Sequence, residues 1–145
     1  MNRHLNLLLR HAAFATSVLL ATYASLLPRE TVDSDIPKSV QSFELPFHAG
    51  VYFVVTLTAM LALARRRPDS ATRLDFFLAG SLLGAALEIL QATLPWVART
   101  CTLSDFFSNM AGAALAAALV PPSWLLVRDT RAARMAPPAR PAARS

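Results

Sequence analysis

Glu88 and Gln91 stand three residues apart, and Asp105 and Asn109 stand four apart, so on helices each pair shares one face. Arg99 lies in the short connection between the two pairs. His48 opens an earlier apolar run, with Tyr52 one helical turn further on. Carboxylates and imidazoles are the groups of general acid–base work, which makes Glu88 and His48 the candidate acid or base. Carboxylate, amide and guanidinium groups together also suit the recognition of a polar ligand, with Arg99 fitted to phosphate or carboxylate. The candidate ligand-binding set is therefore Glu88, Gln91, Arg99, Asp105, Asn109 and His48. Plainer roles exist for most of them. Asp105 and Ser104 are good helix caps, Asn109 can be interhelical glue, and His48 can be an interfacial residue. Glu88 is the hardest to explain away, because a carboxylate within an apolar run must bind a proton or find a partner. Arg99 is its expected ion-pair partner.

The segments that must position these groups are apolar. Hydrophobic residues make up 54% of the chain and its mean hydropathy is +0.42, more than a soluble domain of 145 residues ordinarily carries. The net charge of +5 is made almost wholly of Arg. Those arginines border the apolar runs, as in membrane topology signals, and no nucleic-acid-binding pattern accompanies them, so nucleic acid is not an expected partner. The lone Cys101 cannot form an intrachain disulfide. There is no Gly-rich phosphate loop, no paired His at metal spacing and no nucleophile elbow. A metal would have to use His48, Glu88 and Asp105 from separate helices, fewer ligands than such ions usually take, so neither metal nor cofactor is expected.

Four apolar spans are expected, at about 8–27, 46–64, 75–94 and 106–120, within a transmembrane domain covering 1–127. The first needs Arg10 to snorkel to the surface, and a cleavable signal peptide is its rival reading. Gly80 and Gly84 make a small-residue stripe near the face of Glu88 and Gln91, and Gly112, Ala113 and Ala116 make a second one. The tail, residues 128–145, is rich in Arg, Ala and Pro and reads as disordered. The N-terminus, second loop and tail hold two, four and five Lys or Arg; the first and third loops hold two and one. Positive-inside then puts both termini in the cytoplasm of an all-α, four-helix membrane bundle. With that topology, His48, Gln91, Glu88, Asp105, Asn109 and Arg99 all fall in the outer leaflet or at its surface. The expected location is the inner membrane of a bacterium, with multiple passes.

The ordered set Glu88-x-x-Gln91, Pro95, Arg99, Ser104-Asp105, Asn109 and Gly112, preceded by His48, resembles the VanZ-like membrane proteins over about residues 44–119. The resemblance implies a small helical membrane protein of a family whose founding member is associated with low-level teicoplanin resistance. That family often carries Asp-Lys three or four residues before the His. Here Glu44-Leu45 stands there, which adds Glu44 to the ligand-binding candidates and loses the base. The family's Pro-Gly-Arg is stretched to Pro95-Trp-Val-Ala-Arg99. The leading expectation is an envelope factor whose outer pocket recognises a lipid headgroup or cell-wall precursor, with a homo-oligomer as a further partner class. The alternatives are an intramembrane enzyme acting on an envelope lipid and, third, a small proton-coupled exporter. The exporter fits least, because its key carboxylate belongs in a first span that here has no acid.

Overall fold

The structure, a computed structural model, describes residues 3–28, 44–64, 69–97 and 102–119. These form four helices: α1 (Arg3–Leu26), α2 (Glu44–Leu63), α3 (Ser70–Thr93) and α4 (Leu103–Leu119). At about 1.5 Å per residue, the first three are about 36, 30 and 36 Å long and α4 about 26 Å. The first three are long and apolar enough to cross a membrane; α4, with 17 residues, is a shorter apolar helix. The tail and the loop residues Arg99 and Cys101 lie outside the described residues.

Helix starts depart from the hydropathy-based spans, because hydrogen bonding rather than lipid solubility sets where a helix begins. α3 opens five residues before the expected 75. Asp69 sits in extended conformation and accepts the Thr72 N–H at 2.8 Å, an N-cap that carries Arg73 and Asp75 into the helix. α4 opens at Leu103 because Thr102 caps it, its hydroxyl accepting the Asp105 N–H at 3.2 Å. The expected caps, Ser104 and Asp105, lie inside the first turn instead. Pro46 is accommodated in the first turn of α2, where its missing N–H leaves no bond unmade.

The helices run alternately up and down. α2 and α4 are therefore parallel to each other and antiparallel to α1 and α3, as the pairings Arg10–Leu61, Tyr52–Gly84 and Arg73–Ala117 require. The closest packing is α4 against α2, followed by α4 against α3 and α1 against α2. Small residues make these approaches. A Cβ on Gly112 would overlap the backbone carbonyl of Ala49, so α4 and α2 meet backbone to backbone. A Cβ on Gly84 would lie 2.9 Å from the Asn109 Cβ and 3.2 Å from the Tyr52 ring, and one on Gly80 would overlap the Thr56 hydroxyl. That hydroxyl is buried with no hydrogen-bond partner among the described residues, in the space that a side chain at position 80 would need.

Helix ends leave carbonyls without intrahelical donors, and none of the four helices has a basic residue in its last turn. Neighbouring helices supply the missing donors. Arg10 of α1 donates to the Leu61 carbonyl of α2 at 3.3 Å. Arg73 of α3 donates to the Ala117 and Ala118 carbonyls of α4, at 2.5 and 3.3 Å. Gln91 of α3 donates to the Ser25 carbonyl of α1 at 2.7 Å. Arg10 thus binds a helix end rather than only reaching for water.

The distribution of side chains is inverted relative to a water-soluble bundle. α3 buries Gly80, Ser81, Gly84, Leu87, Glu88 and Gln91, and α4 buries Asn109, Gly112, Ala113, Ala116 and Ala117. Leu8, Leu19, Leu20, Leu82, Ile89, Phe107 and Leu119 are all more than half exposed. Ser and Thr within the helices satisfy their hydroxyls locally, as Ser81 does on Phe77 and Thr58 on Val54, both at 2.8 Å. Large apolar surface outside and small or polar residues inside is the arrangement a lipid solvent selects.

Candidate functional site

Three helices bring one side chain each to a common point. His48 lies in the second turn of α2, Glu88 in the last third of α3 and Asn109 in the second turn of α4. The alternating helix directions put all three near one end of the bundle. Gly84 and Gly112, one turn along α3 and α4, let the backbones come close enough for short polar groups to meet. Asn109 Oδ1 lies 3.1 Å from His48 Nδ1, and Asn109 Nδ2 donates to Glu88 Oε1 at 3.3 Å. The same Glu88 oxygen lies 3.4 Å from His48 Nδ1.

These contacts fix the chemistry of the imidazole. Both atoms facing Nδ1 are acceptors, so Nδ1 carries a hydrogen and Nε2 is the ring nitrogen left for another partner. The 3.1 Å contact is the hydrogen bond; the 3.4 Å one is an ionic approach. Glu88 is 3% exposed and Asn109 fully buried, so an isolated carboxylate charge here is strongly disfavoured. Imidazolium with carboxylate, or imidazole with carboxylic acid, are both neutral overall. The His48 side chain, at 13% exposure, is the most accessible of the three. A ligand arriving from that end meets the imidazole first, with Asn109 and Glu88 holding it from behind. The arrangement can donate to or accept from a polar group, and can move a proton through His48.

No protein-family profile, curated protein or solved structure matches this chain. The VanZ-like resemblance therefore rests on its motif residues.

Those residues divide. His48, Glu88 and Asn109 are brought together. Gln91, one turn beyond Glu88, is also buried, and its amide is turned to the end of α1. Asp105 sits one turn before Asn109 and accepts a hydrogen bond from the Thr102 hydroxyl at 2.5 Å, inside its own capping turn. Among the described residues it does not bond to the cluster. The metal set of His48, Glu88 and Asp105 is accordingly not assembled, and no group of three His, Cys, Asp or Glu gathers among the described residues. Arg99 and the Glu44 side chain lie outside the described residues, so the Glu88–Arg99 pair has no geometry here.

Two partners were not expected from the sequence. Thr102 had a readable signal, since Thr102-x-x-Asp105 has capping-box spacing. The Ser25 carbonyl had none, because a backbone acceptor carries no sequence mark. Tyr52, 2% exposed with its ring against the Gly84 position, floors the cluster one turn deeper on α2.

Proposed function

We propose that the chain is a multi-pass protein of a bacterial inner membrane, VanZ-like in kind, with four spans and both termini in the cytoplasm. In this reading its outer-leaflet pocket recognises the polar headgroup of an envelope lipid or a cell-wall precursor. The observation that carries the reading is the His48–Glu88–Asn109 cluster, a buried polar site contributed by three helices and partly open through His48. The inverted side-chain distribution supports insertion, and the arginine count supports the orientation. α4 is the short span, and its packing against α2 and α3 limits how much of it meets lipid. Arg99, in the adjoining outer loop, is the residue suited to a phosphate or carboxylate on the ligand.

A second reading, an intramembrane enzyme acting on an envelope lipid, is favoured by one feature. An imidazole whose Nδ1 faces a carboxylate is oriented for proton transfer at Nε2. One experiment addresses both. Wild type, Glu88→Gln and His48→Gln are expressed in a bacterial host, and teicoplanin susceptibility is measured alongside mass spectrometry of co-purified lipids and precursors. Both variants should lose the susceptibility shift at unchanged membrane abundance. A ligand retained by wild type and lost by both supports recognition. An altered lipid or precursor that disappears with His48→Gln supports catalysis. Unchanged susceptibility and unchanged retained molecules in both variants would reject the pocket.

A further inference from the structure

At the end of the bundle remote from His48, α1 and α2 leave a groove of about 170 Å³ lined by Asn6, Leu9, Arg10, Ala13, Thr58 and Leu61. His48 and Leu61 are 13 residues apart on α2, so the two sites are separated by about 20 Å. Asn6, Leu9 and Arg10 stand toward the N-terminal end of α1, level with Leu61, and Ala13 and Thr58 continue the groove along the two helices. Arg10 uses a single N–H donor among the described residues, to the Leu61 carbonyl, and a guanidinium has five. That bond anchors the head of the side chain while leaving donors for an incoming anion. Pockets that enclose drug-sized ligands measure about 300–1,000 Å³, so this groove is too small to enclose one. It matches a ligand that stays mostly outside and inserts part of itself, as a bilayer lipid does.

We propose that this groove binds an anionic glycerophospholipid of the cytoplasmic leaflet, the phosphate on Arg10 and Asn6 and one acyl chain along Ala13 and Leu61. The occupant follows from charge and position. Arg10 and Arg73 stand at the same end of the bundle, and the sequence between α2 and α3 adds three arginines against Asp69, with Asp75 following in α3, a basic excess in this part of the chain. Basic pockets between membrane helices on the cytoplasmic side select anionic headgroups. The site rests on the membrane orientation proposed above but is independent of the outer pocket.

Native mass spectrometry of the purified full-length chain tests it, titrating phosphatidylglycerol against phosphatidylcholine of the same chain length. Wild type should retain phosphatidylglycerol with about fivefold preference, the discrimination expected of one arginine near a lipid surface. Arg10→Gln should reduce that preference to near unity, and Arg10→Lys should keep most of it. Ala13→Phe fills the groove without touching charge and should lower retention of both lipids. It guards against misfolding, because Ala13 is exposed. Equal retention of the two lipids by wild type, wild-type preference in Arg10→Gln, or wild-type retention of both lipids in Ala13→Phe overturns the proposal. Labelling that places Ser70 outside the cell removes the orientation and overturns it too. If Ser70 is protected and the lipid results still fail, the groove alone is wrong.

Discussion

Asn109 is the residue on which the cluster turns, because its amide is the one group that satisfies an acceptor and a donor at once. Its Oδ1 takes the His48 hydrogen and its Nδ2 serves Glu88. Asn109→Leu keeps the branched outline, adds some bulk and removes both bonds, leaving a buried imidazole and carboxylate less satisfied. It should lower stability by about 1–3 kcal/mol. Glu88→Gln retains an acceptor oxygen and removes the possibility of a buried charge, so it should melt at or slightly above wild type. Thermal melts in detergent decide; an Asn109→Leu protein as stable as Glu88→Gln would show that the bridge carries no weight. Gln91 gives a sharper contrast. Its amide holds the end of α1, so Gln91→Leu should cost about 0.5–1.5 kcal/mol yet preserve pocket function. Loss of the susceptibility phenotype with normal stability would return Gln91 to the site.

Helix α4 is positioned by what it lacks. A methyl on Gly112 would meet the Ala49 carbonyl, and backbone cannot swing aside as a flexible side chain can. Gly112→Ala should therefore destabilise by about 1–3 kcal/mol, whereas Ala79→Leu, on the exposed face of α3, should do little. Comparable melts for the two would disprove the backbone contact between α2 and α4. Ala62 would be a poor control, since it is only 4% exposed and its enlargement would overpack a second interface. The start of α3 depends on charge. Hydrogen bonds from Thr72 hold the Asp69 carboxyl below its ordinary value of 3.8. A depressed folded-state value means a contribution that is present above the unfolded value and lost as pH falls through the folded one. The cap should thus weaken below about pH 3.8, and Asp69→Asn should remove that acid-limb slope. An unchanged slope in Asp69→Asn would assign the acid sensitivity elsewhere.

The bundle presents its large apolar side chains outward and its small and polar ones inward, the arrangement that suits a lipid or detergent surround. Orientation is tested by labelling single cysteines on a Cys101→Ser background. Trp96 is 64% exposed at the end of α3 near the cluster, whereas its neighbour Val97 is fully buried and would resist reagent on either side. Trp96→Cys should react from outside intact cells, and Ser70→Cys should be protected until lysis. Reaction of Ser70→Cys in intact cells would invert the bundle and place the His48 cluster on the cytoplasmic side.

Much of this protein is written in local order. Runs without charge gave the helices, glycine spacing gave the packing stripes, and the placement of Glu88, Asn109 and His48 near one end followed from alternating direction alone. Such features are legible because helical periodicity converts spacing directly into faces and depths. Three things needed the tertiary structure. Which helix starts belong to caps depended on hydrogen bonds from Asp69 and Thr102 rather than on hydropathy. The separation of Gln91 and Asp105 from the cluster depended on competing acceptors and donors, a backbone carbonyl in α1 and a hydroxyl in the capping turn. The sharing of Glu88 Oε1 between Asn109 and His48 depended on how close α4 can come to α2 and α3, a distance set where Gly112 meets Ala49 and Gly84 meets Asn109. Residue types state what a polar group can bond; only the approach of the backbones decides which bond it makes.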